Sequence, residues 1–468
     1  MTDQASVGNP PAMTLPPLID PRSARAPRAS SATLPNGMDT VVVRRPTVPM
    51  VEIRLRIPLP AANSRTAAAA IASGSLMSSS MLFGTAGRSQ EQLANDLAAV
   101  GADLSVSADP DRLLFSTAVL RTGLSTVLEL LAEILTSASY PKAEVVAERD
   151  RLGQRISMAM TQPGVLARMA RSRRLFGDHP YAHTMPDPAL VAALDASTIR
   201  RNHRDRVRPY GATLVLVGDV TPATAVKQAT AAFAHWVGPV RHSRIAAPPD
   251  VDPVGITLVD RPGAVQSNLR LGGPAVGRRD PDYAALQLAN LVFGGYFSSR
   301  LTENLRERNG FTYSPHSGID KAAAASTFLV DADVATEVTA RAVQETWYEL
   351  GRMALAPVTQ DELDSARRYA LGTLALSTAT QSGLASMLAS LADQGLSAPW
   401  LADYQKALAK VSIADVQEVS RRFLSVTSLA TVVVGDASLV GDSLRSLATV
   451  RGSDSGVGSA PAGGGPSG

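Results

Sequence analysis

Two hydrophobic rhythms alternate along the chain. Near its start, "TVVVRR" (40–45) and "VEIRLRI" (51–57) combine β-branched runs with residue-by-residue alternation, around a break that holds Pro46 and Pro49. They predict two strands. "ADLSVSADPDRLLFSTAVL" (102–120) alternates on either side of "ADPD" and predicts an antiparallel pair joined by a turn. The helical period takes over between and after these runs. "SQEQLANDLAAVG" (89–101) predicts an amphipathic helix with Ser89 as N-cap, Glu91 close behind it and Gly101 just past its end. "GLSTVLELLAEILTS" (123–137) is a strongly periodic helix. Elements mixed in this way predict an α+β protein, with mainly antiparallel sheets packed with helices.

The pattern is written twice. "VVRRPTVPMVEIRL" (42–55) sits against "LVDRPGAVQSNLRL" (258–271), so that Pro46 matches Pro262 and Arg54-Leu55 matches Arg270-Leu271. At nearly the same offset "TLVLVGD" (213–219) returns as "TVVVGD" (431–436), and "EVVAERDRLGQRISMAMTQPG" (144–164) parallels "ELDSARRYALGTLALSTATQSG" (362–383). A nearly constant offset predicts duplication of a domain of roughly 200 residues. The expected organisation is a disordered Pro-, Ser- and Ala-rich segment over 1–32, a first domain over 33–238 and a Pro-rich linker over 239–255. A second domain follows over 256–447, then a disordered tail over 448–468.

Composition narrows the classes. The chain has 468 residues, 45 Lys+Arg against 42 Asp+Glu, a formal net charge of +3 and no Cys. That near balance argues against nucleic acid or an anionic membrane surface as partner. Without Cys there is no disulfide framework, thiolate nucleophile or Cys-based zinc site. No apolar run is long enough to span a bilayer, and the N-terminal residues do not read as a secretory signal, so the expected location is the cytoplasm.

"LPNGM" (34–38), the two strands, a helix ending in "MLFGT", an "ER" leading a long helix, "GDHPYAH" (177–183) and "FGGYFSSRLTENLRERNGFTYS" (293–314) stand in an order that resembles the M16 family of zinc metallopeptidases. The resemblance spans about residues 33–447 and is to the short bacterial M16B type. It implies two tandem homologous domains of the M16/LuxS-like metallohydrolase type. Catalytic members carry H-x-x-E-H on a helix, where i,i+4 spacing puts both His on one face for a zinc ion and the Glu serves as general base. A Glu on a later helix completes the ligands. Aligned on "MLFGT", the three motif positions fall on Leu76, Ser79 and Ser80, and the distant ligand near Arg155. Leu binds no zinc, Ser is a poor ligand and no base, and Arg repels a cation. The expectation is therefore no metal and no catalytic residue in this chain. The equivalent stretch of the second half, "VFGGY" (292–296), offers no ligands either. His179 and His183 have ligand-like spacing but stand in a loop-like stretch with Pro180 between them, which predicts a structural role.

The same resemblance implies that an Arg, and a Tyr seven residues after it, bind the substrate peptide; Arg306 and Tyr313 fit. An Arg fork can hold carbonyl oxygens and a Tyr hydroxyl can support an oxyanion. Gly294 and Gly295 are a candidate peptide-contact loop, with close packing as the alternative. With the zinc half stripped and the clamp half kept, the resemblance implies a non-catalytic, substrate-binding subunit. Its expected partner is a catalytic M16B chain that carries H-x-x-E-H and the zinc, and extended peptides are cleaved between the two. The alternative is a pseudo-peptidase acting as a structural or peptide-binding protein. A stand-alone hydrolase using Ser78–Ser80 is disfavoured, because no His, Asp or Lys is placed to activate those hydroxyls.

Overall fold

A computed structural model describes residues 27–60, 64–240, 245–250 and 253–452. Each half builds one six-stranded sheet. The first contains β1 (Ala29–Thr33), β2 (Asp39–Arg44), β3 (Met50–Pro58), β4 (Ser105–Ala108), β5 (Arg112–Leu120) and β6 (Thr213–Gly218), in the order β1-β2-β6-β3-β5-β4. The second contains β7 (Ile256–Asp260), β8 (Gln266–Ala275), β9 (His316–Lys321), β10 (Ser326–Ala335), β11 (Ala430–Gly435) and β12 (Val450–Gly452), in the order β12-β7-β11-β8-β10-β9. Neighbours run antiparallel except β2 with β6, and β7 with β11 and β12. Without the edge strands β1 and β12 the two orders coincide strand for strand. Pro46 and Pro262 fall in the equivalent β2–β3 and β7–β8 turns, and Gly218 and Gly435 end the equivalent strands β6 and β11.

Two boundaries differ from expectation. Residues 29–32, placed in the disordered N-terminal segment, belong to β1, which pairs with β2 from Ala29↔Val43 to Thr33↔Asp39. Residues 450–452, placed in the disordered tail, form β12 against β7. Both supply backbone partners to an otherwise open sheet edge, a demand that composition does not register. Residues 1–26 and 453–468 lie outside the described residues. Among the described residues of 239–255 there is no helix or strand.

Local chemistry explains the first helices. Ser89 caps the helix Gln90–Ala99 through a reciprocal box in which Gln92, rather than Glu91, returns the hydrogen bond. Gly101 takes φ +69° after its end. In "MLFGT", Met81 is fully buried, Gly84 turns the chain at φ +113°, and the Thr85 hydroxyl bonds Glu133 on the helix Leu124–Ser137.

The central strands show how the halves are joined. Every residue of β6 and of β11 is buried, so both faces of each are covered. Leu214 and Leu216 point into the first half's own core, together with Ile53, Leu55 and Phe115. Val215 and Val217 point the other way, onto Leu384, Ala385 and Leu388 of the helix Gln381–Asp393, which belongs to the second half. The exchange is reciprocal. Val433 faces the second half's core, while Val432 and Val434 meet Ala167 and Ala170 of the helix Pro163–Phe176, which belongs to the first half.

The polar faces of β3 and β8 lie under the same two helices. Arg54 donates to the Ser382 hydroxyl at 2.8 Å and the Ser386 hydroxyl at 3.3 Å, and Arg56 pairs with Asp393. On the other side Arg270 bonds Asp333 at 2.7 Å, and Arg171 pairs with Asp331. The duplicated Arg of the sequence repeat thus lies on the same face of each sheet, beneath the exchanged helix. The two hairpin tips also meet: the Asp111 carboxylate accepts from the Tyr181 hydroxyl at 2.8 Å and from Ala323 N at 3.0 Å.

Because Leu388 packs on the other half's sheet, its loss is felt in both. Leu388→Ala is expected to cost about 2–4 kcal/mol. In urea, unfolding followed by near-UV circular dichroism and by Trp236 and Trp347 fluorescence should move to lower midpoint as a single transition. Separate transitions for the two halves would contradict this coupling.

Candidate functional site with a guanidinium among the motif positions

The helix Ser64–Ser80 carries three of the four motif positions. Leu76 has 0% exposure and joins the first core. Ser80 is buried and donates to Leu76 O at 2.7 Å, Ser78 donates to Ser75 O at 3.0 Å, and Ser79 stands 3.2 Å from Leu76 O. These hydroxyls satisfy the last turn of their own helix. Alongside runs the helix Lys142–Met160, with Arg155 on it.

Between the two helices lies Glu148, only 6% exposed. Its carboxylate accepts from Arg155 Nη2 at 2.7 Å and Arg151 Nε at 2.9 Å, and the Ser79 hydroxyl is also within hydrogen-bonding reach. Burial pushes the Glu148 carboxyl up, but hydrogen bonds from Arg155, Arg151 and Ser79 outweigh it and leave the group below the usual carboxylate range. The structure therefore brings Ser79 and Arg155 together through a residue to which motif alignment does not point. The available signal is charge spacing, since Glu148, Arg151 and Arg155 lie at i, i+3 and i+7 on one helical face.

The other predicted residues sit in the chain's second half. Arg306 lies in the turn Glu303–Arg308 and Tyr313 in the loop after it. The Arg306 Cζ is 4.7 Å from the Tyr313 ring centroid, so the structure brings this pair together. Their backbone is firmly held. Arg300 forks onto Glu362 at 2.6 and 2.8 Å, Asn304 donates to Glu345 and Glu349, and Phe311 is buried with its N–H on Leu305 O. Tyr313 itself is 80% exposed.

Residues 74–189 match Insulinase (Peptidase family M16), and residues 193–369 match Peptidase M16 inactive domain. This chain belongs to the M16 peptidase family. An uncharacterized zinc protease of Mycobacterium tuberculosis is 28% identical over 377 residues, covering 79% of this chain and 84% of that protein. A probable inactive metalloprotease of Bacillus subtilis is 24% identical over 210 residues, covering 44% of this chain and 48% of that protein. The fold matches a solved peptidase M16 inactive domain from Pseudomonas fluorescens, with TM-score 0.81 and 23% identity over 87% of this chain and 98% of that one. It also matches a protease from Helicobacter pylori, with TM-score 0.79 and 20% identity over 88% of this chain and 100% of that one.

This M16 chain lacks H-x-x-E-H, and the motif positions do not fit a zinc ion: a core Leu, two hydroxyls bonded to backbone and a guanidinium paired with a carboxylate. Among the described residues no three His, Asp or Glu side chains are grouped to hold a metal. His179 Nε2 lies 2.9 Å from Ala246 O, and its Nδ1 accepts from Tyr181 N at 3.2 Å. It joins two loops, and burial pushes the nearby His183 imidazole down. No helix among the described residues is long and apolar enough to cross a membrane.

Gly294 and Gly295 do not form an open peptide-contact loop. They end a helical turn over Leu291–Gly295, where a Cβ on Gly294 would stand 2.7 Å from Ser317 Oγ and one on Gly295 2.6 Å from Asn290 Nδ2. Close packing accounts for both.

Arg155→Ala should strip Glu148 of its main partner and cost about 1–3 kcal/mol at neutral pH. Because the folded-state pKa of Glu148 is lowered, its pairing stabilises above the unfolded carboxylate pKa and is lost as pH falls through the folded value. The cost of Arg155→Ala should therefore be largest near neutral pH and shrink on acidification, because the parent loses the pairing as pH falls and the variant has none to lose, read from urea midpoints between about pH 4 and 7. Adding Glu148→Gln should remove most of this pH-dependent cost. If it does not, the pairing is not the cause.

Proposed function

We propose that this chain is the non-catalytic, substrate-binding subunit of a heterodimeric M16B zinc metallopeptidase of the cytoplasm. Its partner carries H-x-x-E-H and the zinc, and extended peptides are cleaved in a chamber between the two. One observation carries this reading: Arg306 and Tyr313 stand together, with the Tyr313 ring exposed, on a backbone held by buried hydrogen bonds, and no structural work requires them there. Arg306 supplies main-chain recognition and Tyr313 a hydroxyl for the developing oxyanion on the partner's zinc. Both act on the peptide backbone, which suits a subunit that positions many sequences. The near-neutral charge of the chain supports a peptide rather than a nucleic acid as ligand.

The purified chain should bind no stoichiometric zinc and cleave no peptide by itself, checked by metal analysis and mass spectrometry of a peptide mixture. Mixed with an H-x-x-E-H homologue encoded beside it, it should give zinc-dependent cleavage. In that pair Arg306→Ala and Tyr313→Phe should each lower kcat/KM about 10- to 1000-fold. Unchanged turnover in both variants would leave the structural pseudo-peptidase as the better reading.

A further inference from the structure

Phe297 is the one exposed Phe among the nine, all of which lie within the described residues, and it is 66% exposed. It sits two residues after Gly295. The residues on its C-terminal side fix its backbone: Ser299 caps the next turn, and the buried Arg300 holds Glu362 through two hydrogen bonds. The ring has a definite neighbour. The Arg306 Cζ lies 4.7 Å from the Phe297 centroid and 4.7 Å from the Tyr313 centroid. The guanidinium is thus held by two aromatic rings that come from different turns of the chain.

This stacking has a directional consequence. A guanidinium presents its faces to aromatic rings and its N–H groups in its own plane. Two rings at 4.7 Å restrict where the guanidinium can turn without using its N–H donors. Arg306 Nε makes one long contact, 3.3 Å to Glu307, and the Nη groups meet no acceptor among the described residues. Donors without acceptors on a half-buried guanidinium held beside two rings fit carbonyl oxygens of an extended chain. The exposure of both rings also leaves apolar surface beside those donors.

We propose that Phe297 is a third member of the peptide-binding surface. It positions Arg306 against Tyr313, so that the guanidinium edge meets main-chain carbonyls. The exposed ring surface favours peptides with an aromatic or large apolar side chain next to the carbonyl that is held. This inference rests on the clamp reading of Arg306 and Tyr313 and adds to it a positioning residue and a side-chain preference.

The test uses the full chain and two fluorescein-labelled, end-blocked nonapeptides that differ only in a central Phe or Ala, with binding read by fluorescence anisotropy. The parent chain should prefer the Phe peptide. Phe297→Ala should weaken binding about fivefold and abolish the preference, Phe297→Leu should behave like it, and Phe297→Tyr should keep both affinity and preference. Thermal melts should coincide for all variants, since the side chain is exposed. If Arg306→Ala loses both peptides while Phe297→Ala keeps affinity and preference, or if Leu serves as well as Tyr, the role of Phe297 is overturned and the clamp stands. If the parent binds neither peptide, or Arg306→Ala binds both as well as the parent, the clamp reading fails and takes this inference with it.

Discussion

The structure depends on a trade of helices. Each half is a sheet with one face on its own core and one face that would otherwise be open, and each covers the other's open face with a helix from its own sequence. The hydrophobic burial of β6 and β11 on both faces exists only because Gln381–Asp393 and Pro163–Phe176 cross over. Apolar contact supplies most of the stabilisation. The arginines between sheet and helix add specificity: Arg54 on β3 donates to Ser382 of one exchanged helix, and Arg171 of the other pairs with Asp331 on β10, which fixes where each helix lies.

Much of this is legible in the sequence. Alternation marks β3 to β5, the helical period marks Leu124–Ser137, and the repeat announces two equivalent sheets. The continuous apolar runs of β6 and β11 agree with strands covered on both sides, but do not say by what, since helix exchange leaves no local signature. The edge strands β1 and β12 are hidden because backbone pairing asks little of side chains. The losses at Leu76, Ser79, Ser80 and Arg155 can be read by alignment with a motif. The group that fills the gap is signalled only by the spacing of Glu148, Arg151 and Arg155 on one helical face; its meeting with Ser79, on a helix more than sixty residues away in sequence, needs the fold. Phe297 is silent for a similar reason: in sequence it is one more aromatic in a family segment, and only folding sets it against Arg306. Gly294 and Gly295 read equally as a peptide-contact loop or as close packing, and only the fold shows that their missing side chains make room for Ser317 and Asn290.

The two candidate regions use one residue type in opposite ways. Arg155 is committed, because its guanidinium turns to a buried carboxylate. Arg306 is held in reserve, because two aromatic rings hold it without using its N–H donors. The difference lies in what each guanidinium faces: a carboxylate consumes the directional donors, and a π-face does not.

The Glu148–Arg155 pair has one more consequence. Where a carboxylate depends on a metal for its counter-charge, folding of that region is tied to metal supply, to chelators and to the protonation of every ligand. Here the counter-charge is covalently part of the chain and cannot dissociate. The local fold is thus insulated from swings in the cell's metal supply. A tethered cation at this place lets the region reach its finished form with no metal present.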